Sequence, residues 1–352
     1  MLKFLSSFLA PTTRAARKSA PKAQLRLERL EDRVTPGAYT VSTTAATGAG
    51  SLTAAIAAMD MQHDTNNTIT FNSNLNGAIS IPGTISLSLN VVIDGNGSSA
   101  PITGNGTFRI FFINTGITVQ LKYLQITGGG GAFDGSGIYN GGTLAVTNCS
   151  IRNNNSTFDG GGIYNSNTLT ISQSSIYSNS AVKGGGVYNF GTLTIADTGT
   201  TISANTASQN GGGIYSSAGS TGSVTISGYV KIDSNSATNY GGGVYVNSGS
   251  FSLSDGEVDE NSAIDGAGVY GNVDLSLDGV EIGYNNASRN GGGVYQNAGA
   301  MTCTDCIFLG NTCGANGVGP AGSWAVGPAI TLVDCTGQVG VGQFQEMIPP
   351  KN

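Results

Sequence analysis

The sequence predicts an all-β fold: a single-stranded, right-handed parallel β-helix of about ten coils with an N-terminal cap helix. Three observations carry this expectation. A Gly-rich motif ending in Ile/Val-Tyr recurs seven times, at Tyr139, Tyr164, Tyr188, Tyr215, Tyr245, Tyr270 and Tyr295, with spacings of 25, 24, 27, 30, 25 and 25 residues. Each copy is followed by an apolar-polar-apolar triplet, as in Leu169-Thr-Ile171, and then by an apolar residue three places before an Asn, as in Ile176 with Asn179. The composition agrees with a thin core interrupted by many turns: 55 of 352 residues are Gly, 39% are hydrophobic and only 10% are charged.

Taken in order, residues 1–36 read as a basic N-terminal head, an export or disordered segment, with a formal charge of +5, against −11 for residues 37–352. A nucleic-acid binder needs a basic stripe on its folded body, and this body has none. The apolar stretch within Met1–Ala10 is too short to cross a bilayer, and no later segment approaches the length of a membrane helix. The run Leu27-Glu-Arg-Leu-Glu-Asp-Arg-Val-Thr-Pro36 resembles the LExLExRxxP-type segment of large extracellular proteins of planctomycete bacteria, a resemblance that implies export. Residues 37–338 are expected to hold the β-helix and residues 339–352 a tail.

Within the body, about residues 37–75 read as a cap. Tyr39-Thr-Val41 and Ile69-Thr-Phe71 are strand-like, Ser51 is a candidate N-cap, and Leu52, Ile56 and Met59 make an apolar stripe at helical spacing. A solenoid end needs such a cover, because open strand edges template aggregation. Less regular coils follow, through Val91–Asp94, Arg109–Ile113, Ile117–Leu121 and Leu124–Ile126. Regular repeats then run over about 128–311. Each period offers three strand-like pieces, too short to bury an apolar face alone. Stacking successive periods joins the inward Ile, Val and Leu residues into one core and satisfies the backbone between coils.

The Gly-Gly-x-Ile and apolar-x-x-Asn elements over about 135–311 resemble the paired GGA[ILV] and FxxN repeats of chlamydial polymorphic outer-membrane proteins and related bacterial surface β-helices, with Ile or Val usually replacing Phe before the Asn. The resemblance implies a pectate-lyase-like solenoid of a bacterial surface protein; the dispersal of acids and bases along the chain adds the expectation of an exported, non-enzymatic scaffold of structural or adhesive role. Only about 20 residues follow Leu332, too few for the membrane barrel of that family.

The alternative is a carbohydrate-active enzyme, a polysaccharide lyase or glycoside hydrolase, since such chemistry also sits on β-helices. It requires converging carboxylates, and for a lyase a basic residue as well. The body's basic residues (Arg109, Lys122, Arg152, Lys183, Lys231, Arg289 and Lys351) are scattered over many coils, and His63, the only histidine, reads as a solvated loop residue. The densest acids are Asp255, Glu257, Asp259 and Glu260 with Asp265; alternation puts Glu257 and Asp259 on one face, and a solvated edge is the plainer reading. Asp134, Asp159 and Lys183 are expected to form a charge ladder. No catalytic residue, cofactor or metal is assigned, and the Gly runs lack the Gly-Asp pattern of calcium-binding β-rolls.

In each Gly-Ile-Tyr the Ile is expected to face inward and the Tyr outward, so that Tyr139, Tyr164, Tyr188, Tyr215, Tyr245, Tyr270 and Tyr295 stack as a ladder. Such a ladder can meet cell-surface glycans or other surface proteins, or it can simply brace neighbouring coils. Thr170, Thr194, Thr225, Ser252, Ser276 and Thr302 make a second outward column, and the Asn column is expected to bond turn backbone. Of the five cysteines, Cys306 and Cys335 each follow an Asp after the apolar triplet; stacked about 4.8 Å apart they suit a disulfide between coils. Cys303 and Cys306 form a CxxC whose members, on a continuous strand, face opposite ways.

Overall fold

The computed structural model describes residues 37–62, 66–219 and 222–314, with the backbone of strands Trp324–Ala325, Ala329–Val333 and Thr336–Gly337. The head at 1–36, the tail at 339–352, His63, Cys335 and Lys351 lie outside the described residues.

The body is a parallel β-solenoid of about ten turns with a single α-helix among the described residues. Every strand pairing is parallel, and like residues stack on like: Leu144 on Leu169 on Leu193, Ile151 on Ile176 on Ile202, Tyr139 on Tyr164 on Tyr188. Four sheets result. Sheet 1, of 12 strands, runs from Ala38–Val41 to Ala329–Val333 and carries the apolar triplets. Sheet 2, of 11 strands, runs from Ile79–Ser80 to Thr336–Gly337 and carries the Ile before each Asn. Sheet 3, of 7 strands, runs from Gly130–Gly131 to Asn286–Asn290; sheet 4, of 10 strands, runs from Ile85–Leu87 to Trp324–Ala325 and carries the Ile/Val-Tyr pairs.

One expectation is corrected here. The motifs predict three strands per period, yet the repeats contain four, because the polar and small segments after each Asn, such as Asn155–Ser156 and Thr206–Asn210, pair as sheet 3. They lack the apolar alternation that marks a strand in sequence; only one small residue in each, such as Ala207, turns inward. Ala38–Val41 is already the first rung of sheet 1, paired in register with Thr68–Phe71.

Helix α1 (Leu52–Gln62) lies in the cap region as its spacing predicts. The Ala54 N–H donates to the Ser51 hydroxyl at 3.2 Å, so Ser51 is the N-cap, and Leu52, Ala55, Ile56 and Met59 are buried.

Corners are made by residues in the left-handed region. Between sheets 2 and 3 the residue before each Asn has positive φ: Asn153 (52°), Ser178 (54°), Ala204 (52°), Ser234 (56°), Glu260 (53°) and Tyr284 (49°). This conformation costs an ordinary L-residue about 1–2 kcal/mol. It aims the following Asn into a buried hydrogen-bonded column that offsets the cost. The Asn205 N–H and Nδ2 both donate to Asn235 Oδ1 at 3.0 Å, and Nδ2 also donates to the Ile176 carbonyl at 2.9 Å. Asn205 Oδ1 in turn accepts from the N–H and Nδ2 of Asn179, each at 3.0 Å. The same pattern links Asn154, Asn179, Asn205, Asn235, Asn261, Asn285 and Asn311, all buried. The expected turn-bonding Asn column is therefore also a side-chain ladder running from coil to coil.

Candidate functional site

The outward tyrosines are positioned by the Gly run that precedes them. In the third motif Gly184 has φ 61°, and a Cβ there would lie 2.8 Å from the Tyr188 backbone; a Cβ on Gly185 would lie 2.5 Å from the Thr206 carbonyl of sheet 3. The bare backbone lets sheet 3 close against the strip and delivers each Tyr to the same place on sheet 4.

The rings of Tyr139, Tyr164, Tyr188, Tyr215, Tyr245, Tyr270 and Tyr295 stack in a continuous column with centroids 4.8–5.2 Å apart and interplanar angles of 4–28°. Phe112 extends the column at 5.0 Å from Tyr139, and the Arg109 guanidinium sits 4.9–5.2 Å from the rings of Tyr139, Phe112 and Phe133. Tyr240 packs 4.9 Å from Tyr270. Stacking spends the ring faces on one another, so the column presents edges and hydroxyls outward. Tyr215, Tyr245 and Tyr270 are buried and the other four half-buried, which makes the ladder less open than its outward register alone implies. Burial pushes up the phenols of Tyr164, Tyr188, Tyr215, Tyr245, Tyr270 and Tyr295, with Tyr164 and Tyr215 at about 12 and Tyr188 and Tyr270 higher. Asn272 Nδ2 donates to the Tyr245 hydroxyl at 2.9 Å.

Beside the tyrosines runs the charged column expected from Asp134, Asp159 and Lys183, continued by Asn210, Tyr240, Asp265 and Asn290. Asp159 donates its backbone N–H to Asp134 Oδ1 at 3.1 Å; burial raises the Asp159 carboxyl, and Lys183 opposes that shift. Lys183 Nζ lies 5.5 Å from the Tyr215 ring centroid. Asp265 is buried and held by Arg289, whose Nε donates at 2.9 Å, and by the N–H and Nδ2 of Asn290.

The acids around residue 257 lie on sheet 2. Glu257 and Asp259 share its outer face, where Lys231 is 3.3 Å from Glu257, the Tyr229 hydroxyl donates to Glu257, and Ser234 donates to Glu260 at 3.2 Å. Asp233 and Asp259 stack in register and are both raised, chiefly by burial. Among the described residues no group of three or more His, Cys, Asp or Glu side chains is arranged to hold a metal ion.

The cysteines differ from expectation. Cys303 and Cys306 do not face opposite ways: Asp305 between them has φ 51° and turns the chain, so both thiols point inward, buried, with sulfurs 2.7 Å apart. The proposed partner of Cys306, Cys335, lies outside the described residues. Cys149 is buried among carbonyls and its thiol is pushed up to about 11 by desolvation.

One column escaped sequence reasoning. Asn140, Asn165 and Asn189, each directly after a ladder Tyr, are buried and bonded in series, Asn140 Nδ2 to Asn165 Oδ1 and Asn165 Nδ2 to Asn189 Oδ1, both at 2.7 Å. The signal was present as a recurring Ile/Val-Tyr-Asn. Among the described residues no helix is long and apolar enough to cross a membrane. No protein family, curated protein or solved structure matches this chain.

Proposed function

We propose that this chain is an exported bacterial surface protein whose β-solenoid acts as a non-catalytic scaffold, structural or adhesive, holding an extended outer face at the cell surface. The observation that carries the reading is the tyrosine ladder: seven coils repeat one decoration, and its aromatic faces brace the coils. A repeated, self-satisfied column is what a spacer requires, whereas a single reaction centre requires one coil to differ from the rest. The likeness of the repeats to those of polymorphic outer-membrane proteins, and of the head to planctomycete export segments, supports the surface location. Cell-surface glycans or other surface proteins are the partners this reading implies, met by ring edges, hydroxyls and the Thr and Ser columns.

A second reading, a carbohydrate-active enzyme, is favoured by one observation: Asp233 and Asp259, raised and stacked beside Glu257 and Lys231. One experiment separates the two. The purified chain is incubated with pectin, alginate and cell-wall polysaccharides, with and without calcium, and release of reducing or unsaturated ends is followed. The scaffold reading expects none, and metal-dependent release would overturn it. In parallel, the triple change Tyr188→Ala, Tyr215→Ala, Tyr245→Ala removes five ring contacts, worth about 2.5–7.5 kcal/mol together. It should lower the melting temperature; an unchanged melting temperature with lost glycan binding would make the ladder a binding site.

A further inference from the structure

The corner joining sheet 1 to sheet 2 differs chemically in one coil. Cys303 occupies the inward column of sheet 1 that earlier coils fill with Ile195, Ile226 and Leu277, and is in register with Leu277. Cys306 follows the corner, one residue before Ile307, where the preceding coil has Val280. The left-handed Asp305 folds the second cysteine back toward the first. Both are fully buried, and their sulfurs are 2.7 Å apart, well inside ordinary non-bonded contact and longer than the roughly 2.05 Å of a disulfide bond. In the coil of Cys149, the same corner faces Val146, so only one sulfur is present there.

We propose that Cys303 and Cys306 are an oxidation site that closes to a disulfide within one coil when the chain folds in an oxidising compartment. The oxidant is an external disulfide of the glutathione class. The thiolate of one cysteine attacks a sulfur of that disulfide, forming a mixed disulfide and expelling one external thiolate. The second cysteine gives its proton to solvent and attacks the protein sulfur of the mixed disulfide, forming the Cys303–Cys306 bond and expelling the second external thiolate. Two protein thiols and one external disulfide thereby become one protein disulfide and two external thiols, with the released protons taken up by the departing thiolates. The exchange takes place during folding, before strand Ala329–Val333 pairs over Ala300–Thr304 and closes the coil. The bond spans four residues, so it constrains little unfolded chain; it fixes the strained Asp305 corner in place.

The test is a disulfide map of the full chain refolded in a mixture of reduced and oxidised glutathione, then alkylated under denaturing, non-reducing conditions. A protease that cuts before aspartate gives Asp278–Thr304 with Cys303, Asp305–Val333 with Cys306 and Cys313, and Asp334–Asn352 with Cys335. The proposal expects the first two fragments joined and Cys335 alkylated. The Cys313→Ser variant must give the same junction, which then assigns Cys306 as the partner. If that variant fails to fold, tandem fragmentation of the joined wild-type peptides makes the same assignment. Alkylation of both Cys303 and Cys306, or a junction of Asp305–Val333 to Asp334–Asn352, would overturn it.

Discussion

Residues 38–127 and residues 128–311 share one backbone ladder but fill it differently. In the earlier coils the interior is bulky and apolar, with Phe71, Ile81, Leu87, Ile93, Ile110, Phe111 and Ile113 all buried, and sheet 3 does not yet exist. In the repeats sheet 3 opens a second corner lined by Asn, Gly and Ala, where Ala207, Ala237, Ala263, Ala267 and Ala287 form a small cluster of their own. The difference teaches that register can be held in two ways. Large apolar side chains hold it by shape, while stacked Asn side chains hold it by hydrogen bonds that are complete only when every coil is aligned.

Two substitutions test that contrast, with the largest expected effects. Phe111→Ala leaves a cavity in the apolar region and should cost about 3–5 kcal/mol in urea unfolding followed by circular dichroism. Asn205→Ala leaves the Asn179 N–H and Nδ2 donors buried without their acceptor and should cost about 2–4 kcal/mol. Hydrogen exchange should place the Asn205 effect in the coils around residues 150–235 and leave the earlier coils protected. An Asn205→Ala chain as stable as the parent would mean that shape alone holds both regions.

Alkali should sharpen the comparison, because the stacked phenols belong to the repeats. From Tyr164 to Tyr295 their folded-state values are raised above the usual 10, to about 12 at Tyr164 and Tyr215. A raised acid keeps its full contribution to stability below the unfolded value and loses it as pH rises through the folded one. Stability should therefore hold to about pH 10 and fall toward pH 12, with absorbance at 295 nm reporting late ionisation. Hydrogen exchange at high pH should show the repeats opening before the apolar coils; the reverse order would detach the ladder from stability.

The smallest effect is a gain. Ala204, at φ 52°, carries a Cβ in the left-handed region without any side-chain bond in return. Ala204→Gly should raise stability by about 0.5–1 kcal/mol, after the larger unfolded-state freedom of Gly is set against the relieved strain. Loss of stability would show that the corner is not strained.

Much of this fold was legible because stacking makes each coil repeat the needs of its neighbours. Ile-x-x-Asn and Gly-Gly-x-Ile-Tyr are visible since every coil needs an inward apolar residue and the same bare strip. Sheet 3 was not legible: Ser180–Lys183 and Thr206–Asn210 expose most of their side chains and bury little beyond one Ala each, so no alternation marks them. The facing of Cys303 and Cys306 differs from expectation for a related reason. Strand alternation was carried through Asp305, a corner that no Gly announces. Of the candidate site, the tyrosine column was read directly, while its face-to-face closure depends on side-chain rotation that spacing does not encode.

The tyrosine column also makes the chain an unusual chromophore. Seven phenols held nearly parallel at about 5 Å have transition dipoles close enough to couple, so light absorbed by one ring is shared along the row. The native protein should display a near-ultraviolet circular dichroism band larger than isolated tyrosines give, independent of concentration and lost on unfolding. An alteration in the middle of the row, at Tyr215, should divide that shared excitation into two shorter segments, a colour change that reports coil alignment without any added label.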